Sequence, residues 1–499
     1  MGIQIGWGRR EFSLNEPISI PGQAIMRISE GILDPLYVTA LCVDGGKGQD
    51  AVIFCSCDLT SLRGLTLELS LQKVAAMRPQ LPVGNIIMNT THTHTSGTQG
   101  KTPEKTPDGK DIYPGEKFVE FLTDRCAEAI CEAWDNRKPG GVAYGYGYAV
   151  VAHSRRVVYF DDYSLRDFTK SLSPNGHGVM YGNTNDAMFS HYEGGADHFL
   201  NAMYTFDESG KLTGILANVP CPSQVSEMMT MLSADYWHDV REAVKTEFGE
   251  GIYVLPQCAA AGDLSPRILH YKKAQARRMK LKYGLEYDPA GSNHQLNKCF
   301  AERKDIAQRI TQGLKEIYDW AKQDIKTDCA VKHLSKNAVL SKRMVTEEEK
   351  RWCEEKILEM ETQIPDPNEV EPEKYRRIKS RYDSVKNRNM RVIKKFEEQQ
   401  NEPTIDMMLH VVQIGEIAFA SNRFELYQDF QHRIQARSPF MQTFVVQLAG
   451  AIGGSYLPTE RGVANKGYSA CIFDNVVGPE GGQELVEQTL EMLNQLKEQ

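Results

Sequence analysis

The sequence contains no CxxC pair, no long apolar run and no excess of positive charge. Its eleven cysteines are an odd number spread through 499 residues, which argues against a disulfide framework and indicates a reducing environment. The longest apolar runs, such as residues 51–55, are far shorter than the ~20 residues of a membrane helix. The 58 Lys and Arg against 66 Asp and Glu give a formal charge of -8. We therefore predict no transmembrane span and no nucleic-acid partner.

Several functional signatures are also missing. The first residues lack a basic region followed by an apolar stretch, and Gly6 stands where a myristoylation signal requires Ser or Thr. We therefore expect neither an export signal nor a lipid anchor, and a cytoplasmic location. The HExxH motif of zinc proteases and the GxSxG elbow of serine hydrolases are absent.

The first 100 residues alternate strand-like and helix-like patterns. Residues 36–43 and 51–57 have the pattern of strands joined by a turn at Gly45 and Gly46, residues 62–77 that of a helix, and residues 85–90 that of a third strand. This order predicts an α/β protein with a mixed β-sheet core flanked by helices.

Composition changes between about residues 272 and 400, where glycine nearly disappears and helical periodicity dominates. Thr346 and Glu349 form a capping box that predicts a helix start within this stretch. After Thr404 strand-like runs return, and a helix over residues 483–496 closes the chain. We predict an α/β body made of residues 1–271 and 405–499, with a helical insertion at residues 272–404.

The most informative short stretch is residues 89–97, which contains Thr-His-Thr-His and follows the predicted third strand directly. Loops at the carboxyl ends of sheet strands often hold ligands in α/β enzymes. Two histidines two residues apart can lie on one side of an extended segment, and neutral imidazole is a common zinc ligand. His92 and His94 therefore indicate either a metal site or a hydrogen-bonded turn.

A second stretch, residues 257–266, follows a predicted strand at residues 252–255. Its small residues allow close backbone approach, and Gly262, Asp263 and Pro266 form a turn that presents the Ser265 hydroxyl. Ser265 is predicted either as a nucleophile or as a turn or cap residue.

Together these two stretches resemble the neutral ceramidase family, in which Thr-His-Thr-His precedes Gly-Asp-x-Ser-Pro. Further matches follow in the same order along the chain, at residues 34–40, 52–58, 414–416, 424–425, 456–460, 467–468 and 478–482. The resemblance covers roughly residues 1–270 and 405–499. It implies a zinc-dependent amidase that hydrolyses the N-acyl bond of ceramide.

Carried over by position, the resemblance implies that His92, Glu425 and Tyr456 bind zinc and that His94 faces the substrate carbonyl. The family's remaining ligand is a histidine in a Val-His-Pro-Thr-Ser segment, and here Cys221 stands in its place. Thiolate is a good zinc ligand at ~2.3 Å, although its charge makes the metal a weaker Lewis acid. Cys221 is predicted either as the fourth ligand or as a small buried residue in a protein without the metal.

The resemblance also implies a site arginine, Arg155, which lines the site and holds polar substrate atoms. Ser154 replaces the family's asparagine before it, so a shift of one residue to Arg156 stays open. We assign Asp263 of the turn and His198, near a predicted strand start, to substrate binding.

We therefore expect a zinc-dependent hydrolase that cleaves the amide bond of a small N-acyl compound, ceramide-like or smaller, with a metal-activated water. His94 would donate to the oxyanion or shuttle a proton, and Ser265 would either hydrogen-bond the reacting group or attack it. No histidine near Ser265 in sequence identifies a base for it, which favours water. The alternative is a non-catalytic ligand-binding protein with the same fold, and the oligomeric state is open.

Overall fold

The computed structural model describes residues 2–23, 27–46, 51–105, 109, 111–166, 173–291, 295–451 and 456–499. Within these ranges the chain forms ten α-helices: α1 Gly64–Met77, α2 Gly115–Asp135, α3 Tyr236–Phe248, α4 Lys272–Tyr283, α5 Leu296–Ala321, α6 Glu347–Thr362, α7 Pro372–Glu398, α8 Gln428–Arg437, α9 Glu460–Asn465 and α10 Pro479–Glu498.

The same ranges contain 23 strands, many of only two residues: β1 Gln4–Glu11, β2 Ser19–Ile20, β3 Arg27–Ile28, β4 Gly31–Ile32, β5 Tyr37–Asp44, β6 Val52–Cys57, β7 Ile86–Thr90, β8 Lys138–Tyr148, β9 His153–Ser154, β10 Arg156–Tyr159, β11 Gly178–Met180, β12 Phe189–Tyr192, β13 Phe199–Asp207, β14 Leu212–Val219, β15 Met231–Leu232, β16 Tyr253–Cys258, β17 Leu264–Ser265, β18 Val331–Ser341, β19 Thr404–Ile414, β20 Ile417–Ser421, β21 Glu425–Leu426, β22 Gln442–Val446 and β23 Tyr456–Leu457.

Two sheets form the centre of the fold. The larger has eight strands in the order β16-β14-β13-β8-β1-β5-β6-β7, and the smaller has four in the order β18-β19-β20-β22. In the larger sheet β14 pairs with β16 and β6 with β7 in parallel, while the other neighbours are antiparallel. The prediction of an α/β fold with a mixed sheet flanked by helices is confirmed.

The two sheets pack face to face through apolar side chains, with Phe54 of β6 against Phe419 of β20 and Phe444 of β22 behind it. Helices α1 and α2 cover one half of the outer face of the larger sheet, and α3 and α5 cover the other half. Helices α8 and α10 cover the smaller sheet. Because β6 is covered on both faces, all six of its residues are buried, and its sequence is a continuous run of small and apolar residues.

The segment predicted as a helical insertion differs from that prediction in two elements. Strand β18 pairs with β19 along its whole length and belongs to the smaller sheet. Helix α5 buries Ile310, Leu314 and Ile317 in the core formed with α3 and the larger sheet. The strand was missed because only one of its faces is buried, so polar residues interrupt its apolar pattern. Helices α6 and α7 do form, and α6 begins with the predicted capping box of Thr346 and Glu349.

All eleven cysteines of the chain are free thiols. No helix in the part of the chain that the structure describes is both long and apolar enough to cross a membrane.

The contact between the two sheets should make a large contribution to stability. We expect Phe419→Ala to lower the free energy of unfolding by about 3–5 kcal/mol. The deleted ring leaves a cavity between two packed sheets, which cannot move together to fill it. The matched control is Phe160→Ala, whose ring is 70% exposed and whose loss should cost about 0.5 kcal/mol or less. Denaturant unfolding of both variants measures the difference, and equal values would contradict this account of the interface.

Candidate functional site

The Thr-rich loop after β7 is a rigid, buried segment. His92 adopts a φ of +62°, a left-handed conformation that residues other than glycine rarely take. The hydroxyls of Thr93 and Thr95 each lie 2.8 Å from the carbonyl oxygen of Ser233, and the Ser233 N–H donates back to the Thr95 carbonyl at 2.9 Å. These bonds fasten the loop to the segment before α3, so the positions of the two histidines are set by the backbone around them.

His92 is oriented by its Nδ1 atom. That atom lies 2.7 Å from the carbonyl oxygen of Thr60, which can only accept, so Nδ1 carries a proton. The Nε2 atom then faces Oε2 of Glu425 at 3.3 Å and Nε2 of His94 at 3.4 Å. A metal-binding imidazole usually donates its other ring N–H to a carbonyl oxygen of this kind, which fixes the orientation of the ring.

Glu425 reaches His92 from the carboxyl-terminal part of the chain, with Tyr456 beside it. The two residues sit opposite each other in the parallel pair of β21 and β23. Gly262 lies against this pair, where its N–H donates to the Leu426 carbonyl at 2.8 Å. A side chain at position 262 would overlap the backbone oxygen of Glu425. Glycine is therefore required for the turn and β21 to approach each other.

Arg155 supplies the positive charge of the group. Its Nη2 donates to the Gly262 carbonyl at 2.8 Å and lies 3.4 Å from the Tyr456 hydroxyl and 3.6 Å from Oε2 of Glu425. Burial alone would raise the pKa of Glu425, but the neighbouring His92 and Arg155 charges and the Tyr456 hydroxyl hold it below its usual value.

The choice between the two adjacent arginines is resolved by their partners. Arg156 points away from Glu425 and pairs through two nitrogens with Glu193, at 2.6 and 2.9 Å. It also donates to the carbonyls of Lys466 and Tyr468, so it links two loops of the fold. Of the pair, Arg155 is the one that contacts Glu425.

His94 is held by Gln224, which no sequence motif indicates. The Gln224 side chain accepts from Arg155 Nη1 at 3.4 Å through Oε1, so its Nε2 faces Nε2 of His94 at 2.8 Å and donates to it. Burial and the nearby charges of His92, Arg27, Arg155 and Arg267 lower the pKa of His94 well below its usual value. His94 is therefore neutral, with a lone pair at Nε2.

Cys221 is not brought into this group. Its thiol donates to the Val151 carbonyl at 3.5 Å, and its side chain belongs to the apolar core formed by α3, α5 and the larger sheet. Burial raises the pKa of the thiol well above its usual value, which favours the protonated form. The structure therefore places Cys221 apart from His92, Glu425 and Tyr456, and among the described residues no group of three or more His, Cys, Asp and Glu side chains that could hold a metal ion is found.

Ser265 and Asp263 lie in the predicted turn but point elsewhere. Ser265 Oγ accepts from the Arg267 N–H at 3.2 Å, and no described histidine hydrogen-bonds it. Asp263 accepts from the Gln428 N–H at 3.1 Å, and burial raises its pKa to about 6. Both side chains make hydrogen bonds that are typical of turn residues, and neither is hydrogen-bonded to the carboxylate of Glu425.

His198 lies at another cavity, of about 210 Å³, which His153 and His270 also line. Among the described residues no contact joins it to His92 or Glu425. The structure therefore separates His198 from the other predicted site residues.

Three further residues complete the surroundings of Arg155 and Gln224. Tyr181 Oη accepts from Arg155 at 3.3 Å, Arg267 donates to the Gln224 carbonyl at 3.3 Å, and Tyr468 packs edge to face on Tyr456. Tyr468 belongs to the Gly-Tyr match of the sequence, which gave it a signal. No sequence signal points to Tyr181 or Arg267, because isolated polar residues in loops look alike in sequence.

Comparisons with known proteins identify the fold and no more. No family model matches the sequence, and no curated protein is similar to it. Among solved structures, the neutral ceramidase from Pseudomonas aeruginosa superposes with a TM-score of 0.67 at 15% identity, covering 100% of this chain and 75% of that one. A ceramidase complexed with C2 gives a TM-score of 0.64 at 14% identity, with coverages of 100% and 76%. The chain has a ceramidase-like fold, as the resemblance implied.

The close approach at Gly262 can be tested directly. We expect Gly262→Ala to lower the free energy of unfolding by about 1–3 kcal/mol, because the new methyl group must push β21 away from the turn. Gly195→Ala is the matched control, since a Cβ there meets nothing within 4 Å. Thermal unfolding of both variants measures the effect. If Gly262→Ala were as stable as Gly195→Ala, the contact with Glu425 would not constrain the fold.

Proposed function

We propose that this protein is a hydrolase that cleaves the amide bond of a small N-acyl compound and that it depends on zinc. The observation that carries the proposal is the convergence of His92, Glu425 and Tyr456, from distant parts of the chain, beside a neutral His94 and a buried Arg155. The ceramidase-like fold is consistent with this reading.

The donor atoms suit a metal ion. The Nε2 atom of His92 lies 3.3 Å from Oε2 of Glu425 and 3.4 Å from Nε2 of His94, a spacing that either a proton on His92 or a cation held between these atoms would satisfy. Zinc bonds of about 2.0–2.2 Å in a tetrahedron separate neighbouring ligands by roughly 3.3–3.5 Å. His92, Glu425 and Tyr456 would hold the ion, and three protein ligands are the number typical of a catalytic zinc.

Zinc bound there would polarise the substrate carbonyl and lower the pKa of a water toward ~7. The protein's own side chains then have separate tasks. Arg155 offsets the negative charge of Glu425 and holds Tyr456 in place. His94 would shuttle a proton from the attacking water to the leaving amine through Nε2, which requires the Gln224 amide to give up its hydrogen bond there. Ser265 has no hydrogen-bonded base among the described residues, which favours water over this serine as nucleophile.

A polar cavity lies beside Tyr181 and Arg267, outside the group of His92, Glu425 and Tyr456. The cavity is about 140 Å³ in volume, and its lining includes Tyr181 and Arg267, which contact Arg155 and Gln224. Lys272, Lys298 and Glu302 also line it. None of His92, His94, Arg155, Glu425 and Tyr456 lines this cavity.

A non-catalytic binding protein is the second candidate. The position of Cys221 in the core favours it, because the side chain that aligns with the family's second histidine does not reach the group. Turnover of a panel of N-acyl amides of different chain length separates the two candidates, since a binding protein would bind members of the panel and release them uncleaved.

Metal content tests the proposed ligands. We expect the purified protein to hold about one zinc per chain, Glu425→Gln to lose it, and Cys221→Ala to retain it while unfolding about 1 kcal/mol more easily. Elemental analysis after removal of loosely bound metal gives the answer. Loss of zinc from Cys221→Ala would return this cysteine to the ligand set, and zinc retained by Glu425→Gln would remove Glu425 from it.

The role of His94 is tested by turnover. We expect His94→Ala to lower kcat by ~10²-fold or more with little change in zinc content, because proton transfer loses its acceptor. His191→Ala is the control, since that histidine is exposed on β12. Unchanged kcat in His94→Ala, with the metal still bound, would show that proton transfer uses another group.

A further inference from the structure

A second cavity, of about 350 Å³, lies between α1, β7 and β19. Its walls are mostly apolar, with Leu67 and Leu71 from α1, Ile87 and Met88 from β7, and Met407 and Met408 from β19. The volume is within the range of small-molecule sites, about 300–1,000 Å³. None of the residues of the proposed catalytic group lines it.

Arg423 is the one charged side chain among the described residues that line this cavity. Among the described residues its one hydrogen bond is long, at 3.4 Å from Nη1 to the carbonyl oxygen of Asp406. Its Nε is buried without an acceptor, and no described carboxylate pairs with it. By contrast, the buried Arg156 and Arg241 each have a carboxylate partner at 2.6–2.8 Å.

The neighbouring polar groups do not neutralise Arg423. The Asp406 carboxylate accepts from the Asn337 side chain at 2.9 Å. His410 lines the cavity and hydrogen-bonds His333 at 3.0 Å, and burial lowers the pKa of both histidines to about 4, so neither carries charge at neutral pH. A half-buried cation with open hydrogen-bonding capacity therefore borders an apolar space. Such a guanidinium gains a strong charge-assisted bond when a carboxylate reaches it.

We propose that this cavity binds an alkyl carboxylate, a free medium-chain fatty acid, with its head group on Arg423 and its chain along the apolar wall. The carboxylate supplies the acceptors that the guanidinium lacks, and the chain fills space lined by Leu, Ile and Met. Each methylene that leaves water should strengthen binding about fourfold until the cavity is full.

The experiment is calorimetric titration of the full-length protein with octanoate, decanoate and laurate below their micelle concentrations. We expect affinity to rise along the series and methyl laurate, which lacks the charge, to bind at least tenfold more weakly than laurate. Arg423→Gln should weaken laurate binding about 10- to 100-fold.

Met408 offers a matched pair of variants, because its side chain is 52% exposed and tolerates polar replacement. Met408→Glu adds a competing carboxylate to the cavity lining and should weaken laurate binding at least tenfold more than Met408→Gln, of the same shape, which removes only apolar contact. Laurate held at the catalytic group would bind all three variants as it binds the wild type, and that result overturns the proposal. Absence of binding to the wild type, or equal binding of laurate and its methyl ester, overturns it too.

Discussion

The carboxylate of Glu425, whose side chain is only 14% exposed, is the constraint on which the arrangement of this protein depends. A buried charge is tolerated only when charged and hydrogen-bonding partners compensate for its lost hydration. Here the partners are His92, Arg155 and Tyr456, which come from the loop after β7, the segment between β9 and β10, and β23. The two sheets must therefore pack in one register, because any other would leave this charge without its partners.

Much of the fold and part of the site followed from the sequence. The strands β5, β6 and β7 and helix α1 were predicted within a few residues, since their periodicity reflects one fixed pattern of burial. The structure brings together His92, Glu425, Tyr456 and Arg155, which short motifs had identified. These motifs are informative because a rigid backbone around each residue restricts what can replace its neighbours.

The position of the Cys221 thiol and the presence of strand β18 could not be predicted from the sequence, and both depend on the direction of side chains. Cys221 matched a ligand position, but the chain turns between two prolines and sends the thiol into the core, while Gln224, three residues on, reaches His94. A motif gives the position of a residue along the chain but not the direction of its side chain in an irregular turn. Strand β18 was missed for a related reason, because the solvent on one face of a strand leaves only half of its residues apolar.

The free cysteines have a consequence for how the protein responds to oxidation. Ten of the eleven thiols are buried in the folded chain, and Cys329 is the one that is partly accessible. The native state is thereby protected from oxidants and thiol reagents, whereas an unfolded chain exposes all eleven thiols at once. Under oxidising conditions, random disulfide bonds form in unfolded chains and prevent them from refolding. Persistence of the protein then depends on how rarely it unfolds, which is a matter of rate rather than of equilibrium.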